Sequence, residues 1–202
     1  MDFDKISIDD GVLLVQMARR AVTEYLSSNK KIINSEFDEK FSFNAGVFVT
    51  INDESGLRGC IGYPLAVKKL SNALIDAAIS AATDDPRFSS VKQIDLKKLI
   101  FEITILSKTE RIFADSTDEI INSIKIGRDG LIIEKGSQSG LLLPQVAIEY
   151  NWNAKQLLEQ TCHKSGLPSD SWKDNTIEIL KFQGLIFKET SSNGKIIQEK
   201  FQ

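Results

Sequence analysis

Along the first third of the chain the apolar positions change their period once, and that change sets out the first elements. Leu14, Met17, Ala18, Ala21, Val22 and Tyr25 recur at helical spacing, a stripe that predicts an amphipathic helix. Ser7, followed three residues later by Asp10, has the form of a capping box that starts it. Phe41, Phe43, Ala45, Val47, Val49 and Ile51 then alternate with mostly polar neighbours, which predicts a strand with one buried face. The stretch "NDESG", Asn52 to Gly56, turns the chain, so Leu57 to Gly62 can return as the antiparallel partner.

From Val67 to Ala82 the helical period is restored by Leu70, Ala73, Leu74, Ala77, Ala78 and Ala81, and Pro86 stops that helix by holding Asp85 extended. "LIFEITILS", 99–107, predicts a third strand. Beyond it come a short helix near Thr117 to Ile124, a hairpin around "KGSQSG" and a helix from Ala154 to about Ser165. That last helix has Asn153 and Gln156 as a capping pair and Gly166 as its stop. The strands "IEILKFQGLIFKE" and "GKIIQEKF" close the chain around the turn "TSSNG". This order predicts a larger sheet-and-helix lobe, about 1–110 plus 176–202, interrupted by a smaller insertion over about 111–175.

Composition narrows the function classes. The 202 residues are 42% hydrophobic and 26% charged, as in a soluble globule, and the formal net charge is −3. An acidic balance without a Lys/Arg block disfavours a broad nucleic-acid footprint. No apolar run reaches membrane-spanning length, and the N-terminus lacks the apolar core of a secretory signal, so a cytoplasmic protein is expected. Two cysteines far apart and a single histidine, His163, predict no metal site, and no cofactor fingerprint is present.

The candidate chemistry gathers in "LRGCIGYP", Leu57 to Pro64. Regular alternation puts Arg58, Cys60 and Gly62 on one face of the strand and Leu57, Gly59 and Ile61 on the other. A guanidinium beside a thiol favours the thiolate, and glycines let a backbone or a ligand approach closely. Cys60 is therefore either an activated nucleophile or a small packing residue. Asp85 and Arg87 in "DDPRF" either pair with each other or present charge to a ligand, and a desolvated Asp85 could act as the general base. Gln145, after the proline of "LLLPQV", has the position of a turn or cap residue. Cys162 lies on the apolar stripe of its helix with Leu157, Leu158 and Thr161, where a packing residue belongs.

Taken together, "LRGCIG" at 57–62, "DPRF" at 85–88, "GLLLPQVAIE" at 140–149 and "LEQTCHKSGLP" at 158–168 resemble the AMMECR1-domain family over nearly the whole chain. The resemblance implies an α+β fold of two lobes, each an antiparallel sheet with helices, the smaller inserted in the larger. It also implies that the hexapeptide lines a cleft between them. It would make Arg58 and Cys60, the candidate catalytic pair of the shared strand face, cleft residues, with Leu57, Gly59, Ile61, Gly62 and the matching positions Asp85, Arg87 and Gln145 as candidate binding residues of the same cleft. Asp129 stands where the family pattern often carries histidine, which weakens any shared Cys–His mechanism. The family supplies no reaction. Its association with Memo-like and radical SAM proteins implies a shared process, an accessory role in a modification chemistry, while the cleft with its hexapeptide wall would suit a protein or peptide partner. The alternative is an enzyme with a Cys60 nucleophile.

Overall fold

The computed structural model describes residues 3–199, without the side chain of Asp4. Of these, 3–106 with 185–199 make one compact unit and 107–184 a second. The fold is α+β and its strand pairings are antiparallel.

In the first unit, α1 (Ile8–Ser28) opens with the expected capping box: Asp10 N–H donates to Ser7 Oγ, and Ser7 N–H donates back to the Asp10 carboxylate. Its apolar stripe is buried, and it ends at Asn29 in the left-handed conformation, φ 56°. A short helix, α2 (Ser35–Lys40), takes up part of the segment whose alternation predicts a strand. Phe41 closes α2 by donating its N–H to the Phe37 carbonyl, and the carbonyls of Phe41 and Phe43 receive the N–H groups of Ser71 and Leu70. Those backbone groups are therefore committed to helix ends, and β1 (Gly46–Asp53) begins five residues later than Phe41.

Strand β2 (Gly56–Tyr63) returns along β1, and β3 (Ile100–Leu106) lies on its other side. Helix α3 (Leu70–Thr83) packs against β1 and β2, and α1 packs against α3. Val47, Val49 and Ile51 point into this helix-covered core with Ile103 and Ile105, all fully buried.

In the second unit, β4 (Glu110–Arg111), α4 (Thr117–Asn122), the hairpin β5 (Asp129–Lys135) and β6 (Gln138–Leu142), α5 (Pro144–Glu149) and α6 (Ala154–Lys164) follow in order. The Asn153–Gln156 capping box starts α6, as expected. Strand β7 (Glu178–Glu189) gives its first half to this unit, against β4 and β5. Its end serves the first unit, where β8 (Ile196–Glu199) pairs with it. The expected final strand runs on to Phe201, and its last two residues lie outside the described residues. Leu131, Ile133, Leu157, Leu158, Trp172 and Ile179 form the core of the second unit, and Cys162 is a fully buried member of it.

A buried ion pair, beside the β8 pairing, holds the end of β7 in the first unit. Glu189, 4% exposed, accepts from Arg19 through Nε at 2.7 Å and also through Nη2. Arg19 also donates to the carbonyls of Leu96 and Leu99, and Phe101 N–H donates to Glu189. Both buried charges thus have several partners, which is the condition for tolerating them inside a core. Among the described residues, no helix is long and apolar enough to cross a membrane.

Candidate functional site

Strand β2 is the outer strand on its side of the sheet, followed by β1 and then β3. The hairpin joining it to β1 is not regular. Ile51 lies opposite Gly59 and Asn52 opposite Leu57, so Arg58 is the extra residue of a bulge. A regular register counted from the turn would set Arg58 opposite Ile51, on the fully buried helix side. The bulge spares the core that charge. It brings Gly59 to the helix side instead and shifts Cys60 opposite Thr50.

Gly59 is required there because α3 runs very close: a Cβ on it would lie 1.9 Å from the Ala81 carbonyl oxygen. Ile61, two residues on, packs on the same core. At Gly62 the space a side chain would take is filled by the Phe48 ring, 2.5 Å from a built Cβ. Of the two close approaches these glycines allow, a backbone or a ligand, the structure shows the backbone of α3 at Gly59, while the Phe48 ring fills the space at Gly62. Leu57, at the start of the strand, is exposed.

The loop after α3 reaches the outer edge of β2 at Cys60. Cys60 N–H donates to Asp85 Oδ2 at 2.8 Å, and the Cys60 carbonyl accepts from Arg87 Nη2 at 3.3 Å. Arg87 grips Asp85 in fork geometry, Nε to Oδ1 at 2.9 Å and Nη2 to Oδ2 at 2.7 Å, and its backbone N–H adds a third contact at 3.2 Å. Proline at 86 makes this approach possible by ending helical continuation after Thr83, while Val91 N–H closes the loop onto the Ala82 carbonyl. Asp85 is 5% exposed, whereas the Arg87 side chain is 55% exposed. Among the described residues, Arg87 Nη1 has no hydrogen-bond partner.

These contacts decide the charge states. The Arg87 fork, with the N–H groups of Cys60 and Arg87, outweighs desolvation and holds the Asp85 carboxyl far below the usual carboxylate range. Asp85 is therefore a permanently ionised clamp. A general base with a raised pKa, the role open to it from the sequence, is not what it is built for.

Burial pushes the Cys60 thiol up, and the Glu102 and Asp85 charges add to that. A hydrogen bond donated by Thr50 Oγ1 to Cys60 Sγ, 3.3 Å long, and the charge of Arg87 offset only part of it. Arg58 does not supply the assistance expected of it. Its Nη1 lies 3.4 Å from Asp53 Oδ2, and the guanidinium that acts on Cys60 is that of Arg87.

Gln145 belongs to the second unit, beside Pro144 in the first turn of α5, and His163 is exposed near the end of α6. Thr50 has no motif to mark it, and only the bulged register reveals it as the neighbour of Cys60. Among the described residues, no three His, Cys, Asp or Glu side chains converge as a metal site would require.

The profile of the AMMECR1 family matches residues 15–187. The chain belongs to the AMMECR1 family. Proteins of Thermofilum pendens, 42% identical over 96% of both chains, and of Methanothermobacter thermautotrophicus, 44% identical over 94% of this chain and 99% of that one, are similar along nearly their whole length. The crystal structure of an uncharacterized protein from Pyrococcus horikoshii superposes with a TM-score of 0.92 at 42% identity, covering 98% of this chain and 100% of the other. This AMMECR1-family chain therefore shares its α+β fold with a solved relative. Both "LRGCIG" and "DPRF" fall within the matched span.

Proposed function

We propose that this AMMECR1-family protein is a binding module whose β2 edge receives a peptide segment of a partner protein, with Arg87 taking a carboxylate of that segment. The observation that carries the reading is the division of labour in the Asp85–Arg87 pair. The buried carboxylate fixes the guanidinium through Nε and Nη2, while more than half of the Arg87 side chain stays exposed. An arginine immobilised before a ligand arrives loses less entropy on binding than a free one.

Apolar side chains flank it. Leu57 is exposed at one end of β2, and Leu65 and Val67 are exposed just beyond the other. A segment with an acidic residue and apolar neighbours is the complement of this surface. A Cys60 nucleophile draws no support from a thiol pushed up by burial or from an Asp85 already committed to Arg87.

The test is selection of peptides from a random display library on the intact protein, followed by affinity measurements on wild type and Arg87→Lys. Lysine keeps the charge and loses the fork. Enriched peptides should carry a carboxylate, shift the amides of 57–65 in NMR spectra and lose roughly tenfold in affinity on Arg87→Lys. Peptides without acidic residues, or equal affinity for the variant, would overturn the reading.

A further inference from the structure

The second unit holds a charged recess that the β2 site does not involve. Its volume is about 200 Å³, and Lys108, Arg128 and Lys181 converge on it with Ser107, Glu110 and Asp129. The three cations come from the loop after β3, the residue before β5 and the first half of β7, so no Lys/Arg block announces them in the sequence. We propose that this recess binds the phosphate group of a small phosphorylated molecule.

The row of core side chains explains where the recess begins. Ile133 lies opposite Ile179 across the β5–β7 pair, and Leu131 lies opposite Lys181. Two residues further on, Asp129 lies opposite Gln183, so the apolar row gives way to polar groups. Asp129 is fully committed where it stands: buried, it accepts from Arg128 through Nε at 2.6 Å and Nη2 at 2.7 Å, and from Lys125 N–H at 2.9 Å. Its charge is thereby used to fix the Arg128 fork, whose Nη1 has no hydrogen bond among the described residues.

The remaining carboxylate compensates little. Glu110 is 76% exposed and lies 3.9 Å from Lys181, a loose surface contact. The Lys181 side chain is 24% exposed and makes only that ion pair among the described residues, and Lys108 makes none. A preset arginine fork and two under-compensated lysines around one recess are the donors a phosphate requires.

Size selects within that class. Sites for drug-sized ligands run from about 300 Å³ upwards, so this recess suits a phosphate with a few further atoms. Because the chain as a whole is acidic, with a net charge of −3, attraction of an anion depends on this local cluster.

The test is an NMR titration of the full chain with inorganic phosphate and with glycerol phosphate, at constant ionic strength set by chloride. Saturable shifts confined to the amides of 107–110, 128–129 and 181–183 are expected. The double variant Lys108→Ala, Lys181→Met removes two charges while keeping the packed stem at 181, and should weaken binding at least roughly thirtyfold with the fold intact. Arg128→Lys, which retains charge, should weaken it by about tenfold. No saturation by about 20 mM phosphate, or shifts that the double variant leaves unchanged, would overturn the proposal. So would tighter binding of a phosphopeptide or an oligonucleotide than of glycerol phosphate.

Discussion

The backbone N–H of Cys60 donates to a carboxylate oxygen of Asp85, 2.8 Å away and 25 residues along the chain. With Arg87 donating to the Cys60 carbonyl, the loop after α3 satisfies both outward backbone groups of one residue on an outer strand. The two side chains do at Cys60 what a neighbouring strand would do, and they close that point of the edge to indiscriminate pairing. "LRGCIG" and "DPRF" are in this sense one structure.

Asp85→Asn keeps the shape of the clamp and removes its charge. The expected loss at pH 7 is about 2 kcal/mol, the scale of a hydrogen-bonded charge. Because the folded pKa of Asp85 is depressed, its contribution is complete above the unfolded carboxylate value of about 3.9 and is lost as pH falls further, towards the folded value. Urea unfolding should therefore show the gap between wild type and variant narrowing by about 1 kcal/mol from pH 5 to pH 3. A gap independent of pH would show that the ionisation contributes nothing.

Gly59→Ala places a methyl group against backbone rather than against a side chain that can turn aside. With the Ala81 carbonyl oxygen 1.9 Å from the new atom, either β2 or the end of α3 must shift. The expected destabilisation is about 3 kcal/mol, at the upper end of ordinary overpacking. A urea midpoint equal to wild type would mean that α3 approaches β2 less closely than described.

The Arg19–Glu189 pair makes a different prediction, because both partners are largely buried. Arg19→Met leaves a carboxylate in the core and should cost about 4 kcal/mol. Glu189→Leu in the same protein should recover most of that loss. The decisive quantity is the coupling in the double-mutant cycle, and additive losses would rule the pair out as the anchor of the end of β7.

Much of this architecture is legible in the sequence, because α1 and α6 carry both their period and their caps. Ser7 with Asp10 and Asn153 with Gln156 mark two helix starts that the structure reproduces. The segment around Phe41 misleads for a physical reason: alternating aromatic residues at a helix end bury as a strand face does, but their carbonyls serve α3. At the site the limit is a single residue. Strict alternation identifies the hexapeptide, but it cannot place a bulge, and the bulge at Arg58 determines that Cys60 faces Thr50. The pairing of Asp85 with Arg87 is local and readable, whereas its attachment to Cys60 is a tertiary contact with no sequence signature.

Site-resolved alkylation of Cys60 by iodoacetamide, followed by mass spectrometry over a range of pH in wild type and Arg58→Ala, tests the central claim most directly. A held, neutral thiol should label slowly, with an apparent pKa above the roughly 8.5 of an unperturbed cysteine, and Arg58→Ala should leave that value unchanged. Rapid labelling with an apparent pKa below 8.5 that rises when Arg58 is removed would contradict it. Cys60 would then be an activated nucleophile.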